Sequence, residues 1–124
     1  MKAHVAIWQA DVSRVEEQVG ALLSSLGIDG SLRGQPVVVK PNLVTDVPRY
    51  IEAGANTDPR VIAGALAWLR DAGAQAYLVE SETGTRLKGR RFWRVVELMR
   101  LDELAARYGA EIVNLTDSPG YRCG

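Results

Sequence analysis

Pro36-Val37-Val38-Val39-Lys40-Pro41-Asn42 is the stretch on which the fold turns. Three successive β-branched residues with no polar alternation match a short strand covered on both faces, the usual state of a strand inside a parallel sheet. Lys40 ends the apolar run, and Pro41-Asn42 opens a loop. Parallel strands need helical crossovers, and the flanking sequence supplies them. Downstream, Asp58-Pro59 begins a helix that runs to Ala72-Gly73, with a capping carboxylate and a proline at the first position. Ala76-Tyr77-Leu78-Val79 is the next β-prone run, Phe92–Tyr108 has helical spacing with an interruption near Leu101-Asp102, and Glu111–Leu115 is a further strand. Upstream, Val5-Ala6-Ile7-Trp8 is β-prone. Asp11 or Ser13 then caps a helix with apolar positions Val15, Val19, Leu22 and Leu26, stopped by Gly27. The order βαβαβαβ predicts an α/β fold: one Rossmann-like, three-layer domain over residues 1–124, with a mostly parallel four-stranded sheet between helices.

Composition narrows the function classes. The 124 residues fit a single domain, and 47% apolar with 24% charged residues is the balance of a globular protein. Fifteen basic residues offset fifteen acidic ones, so no overall field draws the chain to nucleic acid or to an anionic membrane. Cys123 is the single cysteine. The chain therefore cannot close an internal disulfide and holds no ligand set for an iron–sulfur cluster. No signal-peptide core is visible, and the apolar stretch Val61–Leu69 is about half a membrane span. A reducing, cytoplasmic setting with no membrane partner is expected. Neither a Gly-x-Gly-x-x-Gly turn nor a Gly-Lys-Ser/Thr phosphate loop is present.

Ligands of open parallel sheets collect outside the carboxyl ends of the strands. That end should gather Lys40 and Asn42, then Asn56, Thr57 and Asp58 at a helix start, Glu80, Ser81 and Glu82 after a strand, and Asn114, Thr116 and Asp117 after the last. Trp8 and Gln9 would join from the first run. The irregular stretch 41–58 is long for so small a domain, which suits a ligand-covering loop or a surface excursion whose polar residues satisfy their own backbone. Asp58 is foremost a helix cap, leaving Asn56 and Thr57 as the better ligand candidates. Glu80 and Glu82 can share one side and hold a divalent cation such as Mg²⁺, or they can pair with nearby arginines. Arg86, Lys88, Arg90, Arg91 and Arg94, interleaved with Phe92 and Trp93, form a local basic run better read as a solvated loop than as a nucleic-acid patch.

Val37–Val44, Gly54-Ala55-Asn56-Thr57-Asp58-Pro59-Arg60-Val61, Asp71-Ala72-Gly73-Ala74, Val79-Glu80-Ser81 and Leu104–Gly109 together resemble the signature of the domain-of-unknown-function family numbered 362. The resemblance places Lys40, Asn42, Asn56, Thr57, Asp58 and Glu80 at motif positions and supplies no reaction. It also implies differences. Many members carry a ferredoxin-type iron–sulfur segment whose cysteines this chain lacks, and members usually continue into a second α/β half with a Lys-x-His motif. The chain accordingly looks like a first half, as a fragment or a short variant.

Two functions fit these observations. In one, the domain belongs to an enzyme acting on a small anionic metabolite, with Lys40 as an electrostatic clamp and Glu80 and Glu82 as metal ligands or acid–base groups. In the other, it is a non-catalytic module completed by a partner chain. The many apolar positions between Phe92 and Leu104, together with Trp68 and Trp93, further predict a homodimer or hetero-complex that buries that helix.

Overall fold

The computed structural model describes residues 2–81 and 90–117; Glu82, Arg86, Lys88 and Cys123 lie outside the described residues. A 3₁₀ turn at Val12–Arg14 leads into α1 (Val15–Ser24), and the Asp11 carboxylate accepts the Ser13 N–H at 3.0 Å as its cap. Strand β1 (Pro36–Val39) is followed by the loop, within which Pro48–Glu52 forms a short helix, α2. Helix α3 (Pro59–Asp71) starts on the Asp58 cap with Pro59 in its first turn. Then come β2 (Gln75–Glu80), α4 (Arg90–Leu98), α5 (Leu101–Arg107) and β3 (Glu111–Asn114). None of the described helices is long and apolar enough to cross a membrane.

The sheet has three parallel strands in the order β1-β2-β3, with Val37 opposite Ala76, Val39 opposite Leu78, and Glu80 opposite Asn114. The α/β alternation expected from sequence is present, but among the described residues a fourth strand is not. Val5–Trp8 lies outside the sheet, with Val5 82% and Ile7 88% exposed. Its neighbours are tied elsewhere: Gln18 accepts the Asp11 N–H and donates to the Gln9 carbonyl, and Arg60 donates to the Val12 carbonyl. Strand β1 is consequently an edge strand, and it is also not covered on both faces, since Val38 on the face away from the helices is 61% exposed.

The described helices also gather on one face, giving two layers where three were expected. Val37, Val39, Ala76, Leu78 and Ile112 project to that face and share one core with Ile62, Leu66 and Leu69 of α3, Phe92, Val95 and Val96 of α4, and Leu101 and Leu104 of α5. The reason is the strand order. Strands that follow one another in chain order step in a single direction, and crossovers of one hand then fall on one side.

The interruption foreseen near Leu101 takes the form of Arg100 in the left-handed region, φ 53°, between α4 and α5. Splitting the segment lets both helices turn their apolar stripes inward, so Phe92, Val95, Val96, Met99, Leu101 and Leu104 are all buried within one chain. The expectation that so wide an apolar surface outruns a single sheet face is corrected accordingly. Only Trp93 and Leu98 of that set remain exposed, at 46% and 44%.

Helix α1 packs on α3, and Gly64 sets how close they come: a Cβ there would lie 2.6 Å from the Glu16 carbonyl oxygen and 2.8 Å from Val19 Cβ. Gly64→Ala should therefore lower unfolding stability by about 1–3 kcal/mol, because the clash is with the backbone of the partner helix. Gly20→Ala, where nothing lies within 4 Å, should instead raise it by roughly 0.5–1 kcal/mol. Urea denaturation of the two variants checks the pair; equal effects would contradict the close α1–α3 approach.

Candidate functional site

All three strands run the same way, so their carboxyl ends share one edge, and the register brings the end of β2 beside the end of β3. Glu80 is the focus of that edge. Its side chain is 7% exposed, and it lies on the helix-covered face by alternation with Leu78. A buried carboxylate needs partners to stay charged. Lys40 Nζ lies 2.8 Å from Oε1 and 3.0 Å from Oε2, the Ser81 N–H donates to Oε1 at 2.8 Å, and the Leu43 N–H reaches Oε2 at 3.5 Å. Burial pushes the Glu80 carboxyl up, but hydrogen bonds from Lys40, Ser81 and Leu43 outweigh it and hold the group below the usual glutamate range. The backbone joins in as well, because the Glu80 carbonyl accepts the Leu115 N–H at 2.9 Å.

Lys40 is the exposed half of the pair, its side chain 56% accessible. An ammonium has three donors, and fixing some of them on a buried carboxylate leaves the head pre-oriented with a face toward solvent. Both Glu80 oxygens are already bonded, and the ammonium stands where a cation would sit on them. Among the described residues, no group of three metal-ligating side chains comes together.

The remaining sequence candidates divide by task. Asn42 and Thr57 are joined: the Asn42 N–H donates to Thr57 Oγ1 at 2.9 Å, and the Thr57 N–H donates to the Asn42 carbonyl at 2.8 Å. Asn56 is 5% exposed, and its amide is engaged within the chain. Oδ1 accepts the Val44 and Thr45 N–H groups, while Nδ2 donates to the Thr45 carbonyl and faces Met99 Sδ at 3.3 Å. Asn56 thus clamps the loop onto the core. Asp58 caps α3 through the Arg60 N–H and pairs with the Arg60 guanidinium, whose hydrogen bond is the main cause of its lowered pKa. Ser81 contributes its backbone N–H to Glu80.

One feature had no site reading in the sequence. Asp46 lies 3.3 Å from Arg91 and 3.7 Å from Arg94, and Arg91 also donates to the Val44 carbonyl, so two cations of the basic run fasten the loop to α4. Nothing in the local pattern marked Asp46. Asn114 was placed at the strand end by order alone. The structure buries it, with Nδ2 on Asp117 at 3.0 Å and Oδ1 accepting the Thr116 N–H.

Comparison with known proteins gives one match: the family described as Domain of unknown function (DUF362) matches residues 37–123. No curated protein and no solved structure matches the chain.

Replacing Asn56 by Ala leaves the Val44 and Thr45 N–H groups without their acceptor, and should cost about 2–3 kcal/mol of unfolding stability while Asn56→Asp restores only part. Chemical denaturation checks this; a loss within error of zero would contradict the clamp. Glu80 has a folded pKa below its unfolded value, so near pH 4 the unfolded chain binds more protons. Its contribution is present above the ordinary glutamate range and fades as pH falls through the lowered folded value. The acid-induced loss of stability should therefore be shallower in Glu80→Gln than in the parent protein.

Proposed function

Because the chain belongs to the family described as Domain of unknown function (DUF362), a description that assigns no reaction, we propose its function from geometry: it binds a small anionic ligand at the carboxyl ends of its strands, as the binding domain of an enzyme. The observation behind this reading is the Lys40 side chain, more than half exposed and anchored through its ammonium by a buried carboxylate. Because Glu80 cancels the charge of Lys40, the pair exerts little long-range pull. Its value to a ligand is a donor held in place, which saves the entropy of ordering a free lysine. A phosphate or carboxylate group resting on the solvent side of Lys40 would complete the ammonium's hydrogen bonds. Glu80, kept ionised at neutral pH, is in this reading the group that holds Lys40 in place. A cytoplasmic setting, expected from the single cysteine, goes with this reading.

A second reading, a module completed by a partner chain, is favoured by a different observation: the free edge of β1 with Val38 exposed, and Trp93 and Leu98 exposed on α4. In that case Lys40 and Glu80 are structural, and association depends on the apolar surface.

A thermal-shift series on the purified chain separates these. Inorganic phosphate, sulfate, citrate and MgCl₂ are titrated against the parent protein, Lys40→Gln and Glu80→Gln. Ligand at a hundredfold excess over Kd adds about 2.7 kcal/mol, a rise of several degrees in Tm. The ligand reading expects that rise with an anion and its loss in Lys40→Gln. A shift that survives Lys40→Gln would overturn the clamp, and a shift given by MgCl₂ alone and lost in Glu80→Gln would assign the site to a divalent cation.

A further inference from the structure

We propose that Val5-Ala6-Ile7-Trp8 is a docking strand, which closes in parallel onto the free edge of β1 in its own chain, beneath α1. Three observations converge on this segment. The first is an apolar recess of about 300 Å³ that lies between the apolar stripe of α1 (Val15, Val19, Leu22), Val61 of α3 and the segment's own end at Trp8, Gln9 and Ala10. None of the α1 residues is buried, although Val15, Val19 and Leu22 have the spacing of a core-facing helix. The second is the edge itself. Among the described residues, strand β1 pairs only with β2. An uncovered strand edge is a template for another strand.

The third observation fixes the occupant and its direction. The residues just after Trp8 are held at the start of α3, where Arg60 Nη1 donates to the Val12 carbonyl at 2.9 Å. Helix α3 begins after the loop that leaves the carboxyl end of β1, so this anchor lies at the carboxyl edge of the sheet. A strand ending there runs parallel to β1, and α1 then runs back as the crossover of a βαβ unit. The lengths agree as well, four residues against the four of Pro36–Val39. Val5 and Ile7, two residues apart and each more than four-fifths exposed, would lie on one face of the docked strand, the face toward the helices. Ala6 and Trp8 would fall on the other face, beside Val38. The tether makes docking intramolecular, and its effective concentration favours this chain's own edge over that of a second copy.

Cysteine cross-linking tests the proposal without reference to any ligand. In a Cys123→Ser background, Val38→Cys is combined with Ala6→Cys in one protein and with Trp8→Cys in another, the two positions of the docked strand that would share its face. Mild oxidation should give a disulfide within the monomer for one of the two. A disulfide-linked dimer would overturn the choice of occupant in favour of a second copy, and no cross-link in either would overturn docking. Hydrogen exchange gives an independent measure: Val5→Asp with Ile7→Asp should speed exchange of the β1 amides on the free edge at least tenfold. Unchanged exchange there, in a protein whose β2 amides remain protected, would also overturn the proposal.

Discussion

A carboxylate buried at the end of the central strand must be satisfied, and the groups that satisfy Glu80 come from every part of the sheet edge. Lys40 arrives from the end of β1, the Leu43 N–H from the loop, the Ser81 N–H from the exit of β2, and the Leu115 N–H, through the Glu80 carbonyl, from the exit of β3. Leaving such a group unpaired would cost several kcal/mol, so the position of each chain segment at this edge is set by one side chain and its backbone. The same contacts orient Lys40 at this edge.

The loop that covers this edge is ordered by a second buried polar group. Asn56 takes up two N–H groups and one carbonyl of Val44 and Thr45, and Asp46 adds a tie to Arg91 and Arg94. Asn42 and Thr57 close the base of the same loop. The segment is thus a pinned strap, in which polar residues that could serve a ligand hold the backbone instead. Of the six motif residues, Lys40 joins a buried carboxylate while more than half of its side chain stays open to solvent.

Much of this was legible in the residues, and the failures have physical causes. Asp58-Pro59 marked the start of α3, because a cap and a first-turn proline are local signals. The three consecutive valines marked β1, and the strand-end rule brought Lys40 and Glu80 to one edge before any coordinates. Their direct pairing was not legible, since forty residues separate them and only the register aligns them. A fully apolar run implies cover on both faces, which β1 lacks on the Val38 side because the described helices lie on the other. Val5–Trp8 has strand propensity without a ladder partner, which propensity alone does not supply. The apolar excess of Phe92–Leu104 disappeared once Arg100 adopted a left-handed conformation, a choice that no periodicity reveals.

The most direct test of this arrangement is the titration of the Glu80 carboxyl carbon by NMR, in the parent protein and in Lys40→Met. With Lys40 present, the midpoint should lie below the ordinary glutamate value of about 4.3. Without it, burial is left opposed only by the two backbone N–H groups, and the midpoint should move up. A Glu80 that titrates at or above the ordinary value in the parent protein, or does not respond to Lys40→Met, would contradict the account.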